Sequence, residues 1–273
     1  MKRHAISPIP TILSIGAFIS SVFLIVPFIG LTQRTPWSSF IQIATEEAVL
    51  RSITLSLVVA TSASVICFFL GIPLGWVLAR SQIRGLRVIR AIVLLPMVLP
   101  PVAGGTALLF ALGRKGFIGQ RLDSWFGITL PFTTSGAIIA ATFVSLPFFV
   151  LAVESAASQL DHEYEESSFS LGAHPTRTFF SVSLPMLKSA VYAGLALSWA
   201  RALGEFGATI TFVSNIPGET RTLPLALFAA SSVPGSDYIA FRLLIISVLL
   251  ALVAIVISEL LSRRTLKKSK GIS

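Results

Sequence analysis

Charge is scarce in this chain: of 273 residues only 12% are Asp, Glu, Lys or Arg, about half the share usual in a soluble domain. Cysteine is nearly absent. Cys67 stands alone, which excludes an intrachain disulfide and a cysteine cluster for a metal. His4, His162 and His174 lie in polar segments without ligand spacing and read as solvated side chains. There is no H-E-x-x-H, no G-x-S-x-G and no cysteine–histidine pairing at suggestive positions, so the usual catalytic signatures are missing. No Gly-Lys dipeptide occurs either, which excludes a phosphate-binding loop. The chain is therefore expected to be no enzyme and to carry no catalytic residue, cofactor or metal. Any ATP-driven work needs an ATPase on another chain.

What is present is apolar. Hydrophobic residues make up 54% of the chain and mean hydropathy is +0.85. The pattern predicts an all-α integral membrane protein, a single transmembrane domain over 1–273 with six transmembrane helices of about 20 residues or more. They fall at 11–33, 51–80, 88–113, 136–156, 187–213 and 238–262. The net charge of +9 would point to nucleic acid in a soluble protein, but its distribution points to orientation instead. With the N-terminus inside, the inner segments hold Lys2, Arg3, Arg80, Arg84, Arg87, Arg90, Arg177, Lys188, Arg263, Arg264, Lys267, Lys268 and Lys270. The outer ones hold only Arg34, Arg51, Arg114, Lys115, Arg121 and Arg221. That bias puts both termini in the cytoplasm of a multi-pass protein of the plasma (inner) membrane, surrounded by lipid and without a nucleic-acid partner. The first apolar run follows Lys2 and Arg3 as a signal peptide would, but it is long, contains Pro27 and has no clear cleavage site, so it is expected to remain as a span.

Charges inside the spans are costly and correspondingly few. Arg201 and Glu205 are placed near mid-depth of the fifth span, four residues apart and so on one helix face. Two readings are open: a neutralised clamp between helices, or a place on the permeation route. Ala196, Ala200, Gly204 and Ala208 repeat every four residues, a slim ridge that allows close helix approach. Glu154 and Glu259 lie near span ends and are expected to reach water. The third span contains Pro96, Pro100 and Pro101 with Gly104 and Gly105 following. Such irregularity is tolerated at membrane depth only where protein or a water-filled cavity satisfies the freed carbonyls.

One long polar interruption, "YEESSFSLGAHPTRTFFSVSLP", covers Tyr164 to Pro185. Asp161 is positioned as a helix N-cap, with carboxylates at 163, 165 and 166 in the first turns. Gly172 stands where a helix end wants positive φ, and Pro175 opens a second short helix. That helix is expected to show Phe179, Phe180, Val182 and Leu184 as a docking surface.

This stretch resembles the EAA loop of ABC importer permeases, a Glu-Ala-Ala, three residues, Gly and a later Leu-Pro. Glu166, Gly172, Leu184 and Pro185 match, while Ser167 and Ser168 replace the two alanines. The resemblance implies a type I, MetI-like permease fold in which 157–187 is the cytoplasmic coupling loop that inserts into the ATPase. Further along, "LLPMVLPPVAGGTALLFALGRKGFIG" and "ARALGEFGATITFVSNIPGETRTLPLALF" are similar to the molybdate permease branch of that family. It implies a homodimer working with two copies of an ABC ATPase subunit and an extracytoplasmic molybdate-binding protein, with tungstate or sulfate as alternative oxyanions. Pro100, Pro101, Arg201, Gly204 and Glu205 are then the candidates for the pathway or a helix clamp. An ion-coupled secondary transporter is the other class. It would need no docking loop and would show paired broken helices in two related halves.

Overall fold

The computed structural model describes residues 10–34, 46–235 and 238–253. Lys2, Arg3, His4, Glu259 and the basic run 263–270 lie outside them, as does the end of the sixth predicted span. Among the described residues all regular structure is helical. Three helices are long and apolar enough to cross a bilayer unbroken: α1 (Thr11–Arg34), α2 (Glu47–Arg80) and α6 (Thr134–Gln159). α1 passes through Pro27 without ending, and none of its spanning stretch is buried. α2 has 34 residues, about 50 Å at the helical rise, so it outruns a hydrocarbon core of about 30 Å.

The third predicted span is not one helix. α3 (Leu86–Val98) and α4 (Pro101–Leu112) are turned by 119° at Leu99 and Pro100. A residue preceding proline is driven out of the helical region, and here two in succession precede one. Leu99 and Pro100 accordingly have ψ of 136° and 132°. The short helix α5 (Gly119–Phe126) then leads to α6, whose start is capped by Thr133 Oγ1 accepting from the Gly136 N–H at 3.1 Å.

After α6 come two short helices, α7 (Glu163–Ser170) and α8 (Pro175–Met186), the latter holding a π-helical turn at Phe179–Ser183. The fifth predicted span is also broken, into α9 (Lys188–Leu203) and α10 (Gly207–Val213). α11 (Leu223–Ser231) and α12 (Tyr238–Val253) complete the described chain.

The centre is a bundle of α2, α6 and α9. It is made by small residues, as expected where lipid gives no hydrophobic drive between helices. Gly71 lies against the Phe149 ring, and a Cβ on Gly75 would fall 2.9 Å from Val153 Cβ. On α9 a Cβ at Gly194 would fall 3.1 Å from Phe149 and 3.2 Å from Ala152. The buried face of α9 is Val191, Gly194, Ser198 and Ala202. This corrects the expected ridge: Ala200 and Gly204 are exposed, and Ala208 lies beyond the break. Large apolar side chains such as Phe18, Phe23, Phe69 and Phe110 face outward, the arrangement of a protein solvated by lipid.

Candidate functional site

The polar interruption folds into a compact helical hairpin. Glu163, Glu165 and Glu166 occupy the first turn of α7, where negative charge opposes the positive helix end. Asp161 caps as expected in chemistry but not in register: its Oδ1 accepts from the Glu163 N–H at 3.1 Å, while the residue before the helix is His162. Gly172 turns the chain with φ +81°, and Pro175 begins α8. Ser168 Oγ meets Thr178 Oγ1 at 2.9 Å, fastening α7 to α8. The serine that stands in place of an alanine thus supplies a cross-helix bond.

The docking surface differs from expectation. Phe179 and Leu184 turn inward against the core cluster that includes Phe149, Val153 and Leu187, with the Phe179 ring edge-on to Trp76 at 5.1 Å. The outward residues are Tyr164, Glu166, Ser167, Phe169, Leu171 and Phe180, while Pro185 is half-buried. Leu171 is 88% exposed, at the tip of the hairpin beside Gly172.

Arg80, the last residue of α2, ties this hairpin to the bundle and was counted in the sequence only as a positive charge. Its guanidinium lies 3.0 Å from Glu165 Oε1, 2.9 Å from the Leu160 carbonyl and 2.8 Å from His162 Nε2. Nearby, Glu154 does not reach water as expected. It is buried within α6 and ion-paired to Arg90 of α3. Burial of a carboxylate near a span end is affordable once an arginine from the neighbouring helix arrives, and a span-by-span reading cannot see that partner.

Arg201 and Glu205 do pair, at 2.6 Å between Nη1 and Oε2, but not along one continuous helix. The backbone leaves the helix at Gly204, and Glu205 sits in the break, with its side chain 2% exposed. Its other oxygen, Oε1, accepts from the Ala208 N–H at 2.7 Å and so caps the start of α10. Both carboxylate oxygens are therefore occupied in holding together the break between α9 and α10. The break after Leu99 lies against the break after Leu203: a Cβ on Gly207 would fall 2.5 Å from Pro101 Cβ, and one on Gly105 would fall 2.6 Å from the Ala208 carbonyl. The structure thus sets Pro101 against Gly207, just after Gly204 and Glu205 in one break, with Pro100 at the corner of the other.

Two further features escaped the sequence reading. Arg242 is buried near the start of α12, its guanidinium 5.4 Å from the Tyr238 ring centre. At the other end of α2, Glu47, Arg51 and Ser52 line an open depression of about 320 Å³ with Pro217, Gly218 and Arg221. Arg51 pairs with Glu47 at 2.5 Å, and Arg221 Nε donates to Asn215 Oδ1 at 2.9 Å.

Comparison with known proteins agrees with this arrangement. The family described as "Binding-protein-dependent transport system inner membrane component" matches residues 71–267. The chain is 45% identical over 213 residues to the molybdenum transport system permease protein ModB of Escherichia coli (strain K12), spanning 78% of this chain and 93% of that protein. ModB of Mycobacterium bovis is 39% identical over 245 residues, 90% of this chain and 92% of the relative. Among solved structures, a chain of a bacterial alginate ABC transporter, crystallised in complex with an alginate pentasaccharide-bound periplasmic protein, superposes with a TM-score of 0.74 at 18% identity, covering 92% of this chain and 94% of that one. At that identity the likeness concerns the fold alone, which is the type I permease fold. Residue pattern, fold and relatives converge, and the chain belongs to the family of binding-protein-dependent transport system inner membrane components, the permeases of ABC importers.

Proposed function

We propose that this chain is the permease subunit of an importer for molybdate, with tungstate also carried, and that a separate ABC ATPase drives it. The observation that supports an ATP-driven importer is the hairpin of α7 and α8. It is fastened beneath α2 by Arg80 and Phe179 while Glu166, Leu171 and Phe180 remain outward. The cargo rests on the permeases at 39–45% identity. Physics adds compatibility: a bundle of closely packed small residues suits a compact dianion better than a sugar or peptide.

In this reading two copies of the chain form the pathway and two ATPase subunits dock on the two hairpins. An extracytoplasmic binding protein delivers the oxyanion, and 157–187 faces the cytoplasm with both termini. The discriminating experiment is uptake in cells stripped of their own molybdate and sulfate importers, with the cognate ATPase and binding protein co-expressed. Saturable molybdate uptake that excess sulfate fails to compete away is expected. Sulfate uptake that molybdate cannot displace would move the chain to the sulfate branch and leave the importer reading standing.

A further inference from the structure

The last turn of α2 gathers both helices of the hairpin onto one face. Trp76 and Arg80 are four residues apart and so share that face. Trp76 receives α8 through the edge of Phe179, with ring centres 5.1 Å apart. Arg80 receives α7 through Glu165 at 3.0 Å and holds the end of the α6 segment through the Leu160 carbonyl at 2.9 Å. Its guanidinium also lies over the Trp76 ring, 5.5 Å from the centre, and close to His162. The ion pair is sheltered, with the Arg80 side chain 9% and the Glu165 side chain 17% exposed. Salt therefore screens it far less than a surface pair. A planar guanidinium that bonds three separate groups while lying over an indole fixes direction as well as distance, which a lysine could not do.

We propose that Arg80 is a positioning residue for energy transfer: the strut that makes α2 follow the coupling hairpin when the ATPase moves it. The proposal rests on reading 157–187 as the ATPase-docking loop. Arg80 itself faces inward, away from the outward hairpin residues Glu166, Leu171 and Phe180, so its loss leaves the docking surface in place. The hairpin then moves without carrying α2, and hydrolysis continues with little transport.

The test uses the full transporter in proteoliposomes with its ATPase and binding protein, measuring labelled molybdate uptake and ATP hydrolysis together. For Arg80→Gln the ATPase is expected to co-purify as in the wild type, while cargo moved per ATP falls by roughly tenfold, within the usual range of coupling between two sites. Arg80→Lys should fall between the two. A second pair of variants covers the case in which Arg80→Gln does not assemble. Arg80→Cys with Glu165→Cys, in a Cys67→Ser background, should be uncoupled as made. Bridging the two thiols with a short bifunctional maleimide should restore most of the lost cargo per ATP. Unchanged coupling in Arg80→Gln, or no recovery after bridging, would overturn the strut. A wild-type chain that retains no ATPase would overturn the docking-loop reading beneath it, and that result is visible before any variant is made.

Discussion

Gly172 holds φ at +81°, and a side chain added there would meet nothing within 4 Å. The position is thus constrained by torsion alone, not by space. Residues other than glycine lose about 1–2 kcal/mol in the left-handed region, least for asparagine and most for β-branched types. Gly172→Asn is therefore expected to keep most uptake. Gly172→Val should leave the protein in the membrane but lose ATPase association and transport, read by co-purification and uptake on the same preparation. Equal activity of the two variants would show that the turn's shape does not matter to docking. This torsion was legible in the sequence because a glycine between two capped helices has few other uses. The facing of Phe179 was not legible, because the ring that draws it inward, Trp76, lies on α2, about a hundred residues earlier in the chain.

At the scale of elements, the stretches expected as spans are helical where they are described, but the third and the fifth are each broken into two helices. Hydropathy registers composition over a window and is blind to where the backbone turns. The prolines at 100 and 101 did announce an irregular third span, though not a turn of 119°. The fifth span gave no such notice, since its break contains only Gly204, Glu205 and Phe206. What secures it is the double use of the Glu205 carboxylate, and that arrangement makes a graded prediction. Glu205→Gln keeps an oxygen for the Ala208 N–H but loses the charge facing Arg201. Glu205→Ala loses both. Removing one partner of a buried pair costs about 3–5 kcal/mol, and a retained hydrogen bond returns about 1 kcal/mol of that. Thermal unfolding of the purified chain should rank wild type above Glu205→Gln and Glu205→Ala lowest. Adding Arg201→Gln to Glu205→Gln should cost less than the two single changes together. Indistinguishable Gln and Ala variants would mean that the capping bond is not made in the membrane.

For the whole molecule, the lysine and arginine bias carries an expected orientation, and two exposed serines allow it to be checked. Ser124 lies on α5, on the side expected to be outside, and Ser170 ends α7, on the side expected to be cytoplasmic. In a Cys67→Ser background, cysteine at 124 should react with an impermeant thiol reagent in intact cells. Cysteine at 170 should react only in inverted vesicles. Labelling of both from outside would reverse the assignment of the hairpin. With the proposed orientation, Arg80 has a second life in time. While the chain is being threaded into the bilayer, no hairpin yet exists, and the positive-inside rule would count Arg80 among the basic residues that hold the end of α2 on the inner side. Once α7 has been synthesised and has folded back, that charge would be buried against Glu165 and would cease to be a sorting signal. On that reading a variant at position 80 meets two demands in turn, insertion and then transport, and one that inserts correctly has passed only the earlier of the two.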